Sequence, residues 1–489
     1  MLPADFRLDG QGALYEQLAR ELKRAILAGW FVAGKSLPAT RALAETLGVS
    51  RNTVLGAYEM LCAGQLAVPR GRAGTCVTET VRPGKVADSR AAITAPSRYA
   101  ARIRALSPPL LGARQPQPRY DLHYGEPIAD ARLLHSWRRK LAAAALQAGP
   151  RYPESCGFLP LRRAIRDYLA RRRGIVCGEN EILIVGGTQQ AVTLVARVVL
   201  DEGDVVVIED PHYQYIMQTL LAHGARVVSV RTDRNGLVTS EVPGHQAHLI
   251  YVTPSHQFPS GAVMSRERRI ELLRIASRGD AWILEDDYDS EFQYHGRPLS
   301  PLRSMDRSER VIYVGTFSKT LFPSLRLGYI VCPVGLRDDL REAKRLDDLG
   351  SPAIEQAALA AFMRSRQFEK HLRRSVAELG RRRAVLLEGL RRHAAGRVEI
   401  DDSGCGVHVV VWFPRLTFPQ LDRLIEIAAR RGLGLYPIHP HYRMRPMRPG
   451  ILLGYAGLSA PALEAAAELL GQCLGELDQD AGTQHLRAG

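Results

Sequence analysis

One lysine lies at a position in the sequence where covalent chemistry is possible. Lys319 comes just after the apolar run VIYVG (311–315), with the hydroxyl-bearing residues Thr316 and Ser318 beside it and Arg326 after it. Ligands of open α/β sheets bind beyond the carboxyl ends of strands. A lysine in that place can form a Schiff base with a phosphate-bearing aldehyde. The pattern predicts such a site.

A carboxylate ends a second apolar run. Asp286 follows WILE (282–285) in the segment LEDDYDSEF, and Asp287 comes next. A carboxylate at a strand end can keep a pyridine nitrogen protonated, so that the ring withdraws electrons. By itself the segment could equally be an acidic surface or a magnesium site. We take Asp286 as the partner of a ring nitrogen, with Asp287 as the alternative.

The elements that must position these residues alternate between helical stretches and short apolar runs. The runs are rich in Val and Ile and lie at 182–185, 205–208, 227–230, 249–252, 282–285, 311–314 and 329–332. Such runs, separated by helix-length segments, predict a mostly parallel, seven-stranded sheet with helices on both faces, an α/β fold. After about residue 365, long basic helices precede three further apolar runs, which indicates a smaller α+β subdomain.

Residues 120–475 resemble the fold-type I aminotransferases, which bind pyridoxal 5'-phosphate. The resemblance implies a role for each matching residue. Lys319 forms the Schiff base, Asp286 pairs with the pyridinium nitrogen, Tyr288 bonds the ring hydroxyl and Tyr213 stacks on the ring. The phosphate is held by the start of a helix in VGGTQQA (185–191) and by the residues around the lysine, and the implied set is Gly187, Thr188, Gln189, Thr316, Ser318 and Arg326.

The sequence departs from the aminotransferase pattern in two places. Many of these enzymes bond the ring hydroxyl with an asparagine, where SHQFPSG has Phe258. His256 and Gln257 in the same loop either line the site or only shape the loop. The second departure is Leu452, which occupies the place of the arginine that holds a substrate carboxylate bidentately. The loop before it offers Arg443, Arg445 and Arg448, of which we choose Arg443 for effector binding.

The N-terminal residues 1–79 form a separate unit. Leu14, Leu18, Leu22 and Ile26 recur every four residues on one face of a helix that ends near Gly29. A second short helix with Leu43 and Leu47, and a third one capped by Ser50, follow it. The segment VPRGRAGTCV then reads as a basic turn between two extended pieces. This order of elements indicates a winged helix-turn-helix.

The segment LPATRALAETLGVSRNTVLGAYEML resembles the GntR family of bacterial regulators. Val49 and Ser50 form the turn, and the residues after them begin the recognition helix, where side chains reach bases and phosphates. Arginine can pair with guanine and asparagine with adenine. The residues expected at DNA are Arg41, Ser50, Arg51, Asn52, Thr53 and, in the wing, Gly71. The wing departs from the family by having Arg70 and Arg72 but no aromatic residue.

Length and composition agree with several cytoplasmic domains. The chain has 489 residues, which at roughly 100–200 per domain predicts two to four domains. We divide it into the reader 1–79, a basic proline-containing linker 80–119, the aminotransferase-like domain 120–478 and a disordered tail 479–489. No run approaches the roughly 18 apolar residues of a membrane span. Seven cysteines without a CxxC pair indicate reduced thiols and no zinc site.

The two halves in this order are similar to the MocR family of regulators. The resemblance implies a transcription regulator that uses pyridoxal phosphate and forms a head-to-tail homodimer on operator DNA, and the 66 Lys+Arg against 51 Asp+Glu suit that polyanion. Its effector would be a small amine that displaces Lys319, or vitamin B6 itself. The alternative is an active aminotransferase that carries a DNA-binding domain. The sequence does not identify the effector, the operator or the sign of regulation.

Overall fold

The computed structural model describes residues 2–3, 6–71, 74–79, 96–106, 118–128, 130–147, 149, 152–296 and 299–488, with side chains as far as residue 480. Its internal contacts divide the chain into two compact units, Met1–Pro96 and Ser97–Gly489. Each unit has hydrophobic clusters of its own. The first unit corresponds to the predicted reader, and the second contains the predicted aminotransferase-like domain.

The first unit consists of three helices and a short hairpin. Its elements are α1 (Leu14–Leu27), α2 (Thr40–Leu47), α3 (Arg51–Ala63), β1 (Ala67–Pro69) and β2 (Thr75–Val77), with β1 and β2 antiparallel. Leu18, Leu22 and Ile26 are buried, as the four-residue spacing predicts, whereas Leu14 is half exposed. Gly48 ends α2 in the left-handed conformation, and Ser50 caps α3 by accepting a hydrogen bond from the Thr53 amide at 3.1 Å. These elements form the predicted winged helix-turn-helix.

The second unit begins inside the segment predicted to be a linker. Its first elements are α4 (Arg98–Ala105), β3 (Tyr120–Asp121), α5 (Ala131–Gln147) and α6 (Leu159–Arg173). Helix α4 is anchored because Arg102 Nε donates to the Ala222 carbonyl at 2.9 Å and the Tyr99 ring contacts His223 edge-on. The end of the predicted linker 80–119 therefore belongs to the second unit, while residues 80–95 and 107–117 lie outside the described residues.

An eight-stranded sheet forms the centre of the second unit. Its strands are β4 (Ile182–Val185), β5 (Val205–Asp210), β6 (Arg226–Asp233), β7 (Gly236–Leu237), β8 (Ala247–Val252), β9 (Trp282–Asp287), β10 (Val311–Thr316) and β11 (Gly328–Val331). The spatial order is β4-β11-β10-β9-β8-β5-β6-β7, with only β11 and β7 antiparallel to the others. The helices that connect the strands are α7 (Thr188–Val199), α8 (Gln214–His223), α9 (Arg266–Gly279) and α10 (Leu302–Met305). All seven predicted strands are present, and the two-residue edge strand β7 makes eight.

The smaller subdomain follows the sheet. Its elements are α11 (Arg337–Asp348), α12 (Ala353–Arg364), α13 (Gln367–His393), β12 (Glu399–Asp401), β13 (His408–Trp412), α14 (Phe418–Arg430), β14 (Leu433–Gly434), β15 (Tyr436–Pro437), β16 (Gly450–Gly454) and α15 (Ala460–Ala488). Strands β12, β13, β16 and β15 form a sheet in that order, and β14 pairs with β3. The prediction of a disordered tail at 479–489 is wrong for 479–488, because α15 continues through them. Extending an existing helix needs no new nucleation, so a polar tail can continue a helix that would not form by itself.

Two general findings limit the classes of site. No helix within the described ranges is long and apolar enough to cross a bilayer. No three His, Cys, Asp or Glu side chains of the described part come together in an arrangement that could hold a metal ion. All seven cysteines are free thiols, and five of them are buried.

Candidate functional site

The start of helix α7 and the segment after β10 form an anion-binding corner. Gly187 precedes α7 with φ +101°, a conformation that favours glycine, and a Cβ there would lie 3.3 Å from the Arg326 guanidinium. The guanidinium thus lies beside the free amides of the first turn of α7, where anions bind. Thr316 Oγ1 accepts from the Ser318 amide at 3.2 Å. These residues fit the predicted phosphate group.

The side chains of Thr188 and Gln189 differ in their exposure beside this anion-binding corner. Gln189 is exposed and its side-chain amide donates to the Thr219 hydroxyl, so only its backbone can face the corner. Thr188 is half-buried at the first position of α7. The predicted contribution of these two residues through backbone amides and one hydroxyl is compatible with this arrangement, and it stays a prediction.

Lys319 is enclosed beyond the end of β10. Its Nζ donates to the carbonyl oxygen of Gly125 at 2.6 Å, in the loop between β3 and α5. Burial lowers the pKa of Lys319, and the carboxylates of Asp289, Asp286 and Glu126 act in the opposite direction. A lowered pKa increases the fraction of neutral amine, which is the form that attacks an aldehyde. The lysine therefore has the environment of a nucleophile rather than of a surface cation.

Asp286 and Asp287 point to opposite faces of the sheet. Asp286 accepts from the Tyr251 hydroxyl at 2.7 Å through Oδ2, while its buried Oδ1 has no partner among the described residues. Burial raises the pKa of Asp286 to about 7. Asp287 instead forms a buried ion pair with Arg173 at 2.6 Å and accepts from Tyr313. The open Oδ1 fits a protonated ring nitrogen, and the alternative residue Asp287 is already paired.

Tyr288 belongs to a buried polar group with His256. The Tyr288 hydroxyl lies 3.0 Å from His256 Nδ1, which is also 2.8 Å from the Asp289 carboxylate. His256 Nε2 is buried without a partner in the described part of the chain. Gln257, in contrast, donates to the Pro211 carbonyl at 2.6 Å and accepts from the Ser260 hydroxyl. Of the two loop residues, His256 lies at the site and Gln257 shapes the loop.

Phe258 is surrounded by aromatic rings. Its ring centroid lies 5.4 Å from that of Tyr213, 5.7 Å from Tyr124 and 5.1 Å from His441. Tyr213 caps α8, and burial raises its pKa to about 12, with a smaller contribution from the charge of Asp286. Tyr213 thus lies close enough to Asp286 to feel its charge, as a ring-stacking residue should.

Among the described residues, no arginine of the small subdomain acts on Lys319. Leu452 is buried with Val410, Trp412 and Ile438, and Tyr124 packs against this cluster. The structure does not bring Arg443 to the site, because its Nη1 donates to the Val227 carbonyl of β6 at 2.9 Å. At Val227 no strand pairs with β6 on the side away from β5, because β7 pairs only with Thr232 and Asp233. The guanidinium therefore donates to a backbone carbonyl that has no strand partner.

The other two arginines of the loop are also engaged elsewhere. The Arg445 guanidinium lies 3.7 Å above the Phe418 ring. Arg448 pairs with Glu399 and lies over Trp412. The backbone of the same loop is fixed by Asp210, whose carboxylate accepts from the Arg443 amide at 2.9 Å. The loop closes one side of the site without contributing a cation to it.

The candidate DNA residues lie on the surface of the first unit. Arg41, Ser50, Arg51 and Asn52 are exposed, and Thr53 is half-buried. Neither Arg41 nor Arg51 has a carboxylate partner among the residues that the structure describes.

The hairpin turn shows only part of the predicted wing. Gly71 lies in the turn between β1 and β2 with φ +51°, and a Cβ there would meet nothing within 4 Å. Arg70 forms an ion pair with Glu79 at 2.7 Å. Arg72 lies outside the described residues. The position of Gly71 is therefore open to a contact in a DNA groove.

Several residues of the second-unit site were missed in the sequence. Gly125 contacts Lys319 across 194 positions of the sequence, and Tyr124 directly precedes it. No local pattern marks either residue, because only the fold brings them to the lysine. Tyr251 had a weak signal, a tyrosine within the aliphatic run LIYV. His408 and His441 are distant in sequence as well, and the buried face of the small sheet brings them together with Phe258.

Family models match both units. Residues 14–77 match the bacterial regulatory proteins of the gntR family, and residues 120–415 match aminotransferase class I and II. The second match covers more than half of the chain. The crystal structure of Pyrococcus horikoshii kynurenine aminotransferase, a complex with PMP, is similar with a TM-score of 0.67 at 25% identity, covering 79% of this chain and 96% of that chain.

Two relatives share both units. The probable rhizopine catabolism regulatory protein MocR of Rhizobium meliloti is 37% identical, over 92% of this chain and 91% of its own length. The pyridoxine biosynthesis transcriptional regulator PdxR of Corynebacterium glutamicum is 29% identical, over 90% of this chain and 91% of its own. With both domains matched in order over nearly the whole length, the chain belongs to the MocR family of GntR-type transcriptional regulators, and the regulator is favoured over the enzyme.

Proposed function

We propose that this protein holds pyridoxal 5'-phosphate at Lys319 and regulates transcription in response to a small amine or to vitamin B6. The observation that carries the proposal is the convergence of three independent features at one end of the sheet. These are the half-buried lysine, the carboxylate of Asp286 with an open Oδ1, and the anion corner of Gly187 and Arg326. The same chain has an exposed recognition helix in a separate unit.

Each residue has a defined task in this proposal. When bound, the cofactor supplies an aldehyde carbon that reacts with amines and a ring that withdraws electrons. Lys319 attaches it covalently, Asp286 holds the proton on its ring nitrogen, and Gly187 and Arg326 bind its phosphate. Tyr213 covers the ring face, and Tyr288 bonds the ring hydroxyl. An amine effector would take the place of Lys319 at the aldehyde carbon, and the freed lysine side chain would change contacts in the second unit.

The effector can alter DNA binding only through a difference in affinity for two states of the protein. Coupling free energies of about 1–3 kcal/mol are typical of such systems and correspond to a 5- to 150-fold change in affinity. The relative named for pyridoxine biosynthesis supports vitamin B6 as one effector. We place the protein in the cytoplasm, where its DNA lies.

We further propose a head-to-tail homodimer, in which each reader contacts the large domain of the partner. Support comes from the family and from a cavity of about 630 Å³ beside the phosphate corner, lined by Trp137, Phe322, Arg326 and Pro352. A second chain would cover this opening. Sedimentation velocity at micromolar concentration should give a mass of two chains, and a single-chain mass would contradict this.

Footprinting on the DNA upstream of the protein's own gene tests the regulatory function. Wild type and the variant Lys319→Ala are compared with and without pyridoxal 5'-phosphate. We expect a protected region whose affinity changes with the cofactor in the wild type only. If neither protein protects any region, or if both respond equally, the proposal is wrong.

The alternative function, an active aminotransferase, is tested by a half-reaction. The protein loaded with pyridoxal phosphate is mixed with a panel of amino acids, and pyridoxamine phosphate is measured. The position of Leu452 favours no net conversion. Accumulation within seconds for one amino acid would make the enzyme the better description.

A further inference from the structure

The wall that an effector must meet beside Lys319 is apolar. Leu452 is fully buried with Val410 and Trp412, and its face of the small sheet is covered by Tyr124. Tyr124 directly precedes Gly125, whose carbonyl accepts from Lys319. The leucine face therefore lies on the same side of the small sheet as the lysine. A group that approached Lys319 along this wall would meet aliphatic and aromatic carbon rather than a guanidinium.

The imidazoles of the wall are neutral hydrogen-bonding groups. His408 Nε2 donates to the Pro259 carbonyl at 2.9 Å, and burial lowers its pKa to about 3. His441 Nε2 lies 3.0 Å from the Tyr124 hydroxyl, and burial lowers its pKa to about 4. Each ring contacts Phe258, at 5.7 and 5.1 Å between centroids. At neutral pH neither ring provides a positive charge for an anion.

The charges that do face Lys319 are negative. Asp289, Asp286 and Glu126 all act on the lysine. Asp289 is bonded to His256, whereas Glu126 has no partner among the residues of the described ranges. Among the described residues, the Arg326 guanidinium lies in the phosphate corner, and the buried Arg383 guanidinium is engaged by Asp402 and the Tyr294 ring. A carboxylate on the effector would be desolvated beside like charges without a cation, which is unfavourable.

We propose that the effector of this protein is a primary amine that carries no carboxylate group. This inference rests on the proposed function, because it names the ligand class of the same site. The amine meets Lys319 and its surrounding carboxylates, and the rest of the molecule lies against Phe258 and Tyr124, with Leu452 behind the tyrosine.

The test uses matched pairs that differ by one carboxylate. Full-length protein loaded with pyridoxal 5'-phosphate is titrated by calorimetry with phenylalanine and phenethylamine, with lysine and cadaverine, and with alanine and ethylamine. Within each pair in which binding is measured, we expect the amine to bind at least about tenfold more tightly than the amino acid. Equal or tighter binding of the amino acids would overturn the proposal, as would the absence of binding by every amine.

The variant Glu126→Gln examines the electrostatic argument. Removing this charge should tighten the binding of the amino acids about threefold and leave the ratio still in favour of the amines. If the amino acids bind Glu126→Gln no more tightly than the wild type, the charge of Glu126 does not lie close to the effector. Asp338→Asn, at an exposed position on α11, serves as the control and should change neither ligand.

Failure of this inference differs from failure of the proposed function. If the loaded protein shows the visible absorbance of a bound cofactor in the wild type but not in Lys319→Ala, the cofactor assignment holds whatever the ligand titrations give. If that absorbance is missing, the proposed function has failed before any effector is tested. Only the first situation makes the matched pairs a test of the ligand class.

Discussion

The recognition helix and the cofactor site place their functional residues in opposite environments. On α3, Arg51 and Asn52 are exposed, and their positions follow from the first turn of one helix capped by Ser50. Around Lys319 the carboxylates of Asp286 and Asp289 are buried, and the contacts come from segments far apart in the chain. A DNA-binding surface needs only a single helix to position its exposed side chains. A site that lowers the pKa of a lysine needs several segments that exclude water from it. Substitutions should therefore separate the two activities cleanly.

The largest effect should come from Lys319→Ala, which removes the covalent attachment. We expect complete loss of the visible absorbance of the bound cofactor, because the substitution removes the amine at the end of β10 that forms the Schiff base. Operator binding without effector should persist, since the reader is a separate compact unit. Absorbance spectra and gel shifts measure the two properties. Borohydride should fix the cofactor to the wild type but not to the variant, and labelling of the variant would refute the assignment.

Asp286→Asn should weaken cofactor binding, and Asp287→Asn should lower the free energy of unfolding. Asp287→Asn leaves the buried Arg173 without its ion pair, which costs about 3–5 kcal/mol of unfolding free energy. Asp286→Asn should not lower the free energy of unfolding, because it removes a buried charge and keeps an acceptor for Tyr251. It should instead weaken cofactor affinity. Thermal unfolding without the cofactor and titration with it give both quantities, and the opposite assignment of effects would exchange the two roles.

Arg51→Ala should weaken operator binding by about 1–3 kcal/mol, the value of one good contact to a base. Cofactor absorbance should remain unchanged. Lys23→Ala, a substitution of an exposed cation on α1, is the matched control. Gel shifts at several salt concentrations provide the measurement. Wild-type affinity and salt dependence in Arg51→Ala would place DNA recognition elsewhere, with the basic segment 81–119 as the next candidate.

Gly187→Ala and Gly203→Ala place an alanine at two positions of positive φ, one with a neighbouring side chain and one without. Both glycines have φ near +100°, so alanine should cost about 1–3 kcal/mol at either position. Only the Cβ at Gly187 would approach the Arg326 guanidinium, whereas nothing lies within 4 Å of one at Gly203. Cofactor affinity, measured by titration, should fall in Gly187→Ala alone. An equal fall in both variants would show that strain, and not crowding of the phosphate corner, is responsible.

Arg443→Ala should have the smallest effect. Its side chain donates one hydrogen bond to the Val227 carbonyl, worth about 0.5–1.5 kcal/mol of unfolding free energy. Effector affinity and cofactor absorbance should match those of the wild type. Calorimetric titration with the best-binding amine, with thermal unfolding alongside, measures this. If the free energy of effector binding falls by more than the free energy of unfolding, Arg443 contributes to effector binding after all.

The sequence alone was sufficient wherever a short segment carries the structure. The alternation of apolar runs predicted all seven long strands, and the cap at Ser50 with the spacing of Val54, Tyr58 and Leu61 predicted α3. Glycine at 187 is required by a local backbone angle, and Lys319 and Asp286 lie at strand ends that a parallel sheet must bring to one edge. Local propensity and strand order fix these features.

Only the tertiary structure decided which neighbours those residues have. It paired Asp287 with Arg173 and left Asp286 Oδ1 open, and it directed Arg443 to the edge of the sheet. It also brought Gly125 to Lys319 and placed His408 and His441 around Phe258. The direction of a side chain depends on packing between distant segments, and burial rather than residue type sets the charge of an imidazole or a carboxyl group. For that reason the chain's pattern of residues indicated the cofactor, while the nature of its effector depends on the fold.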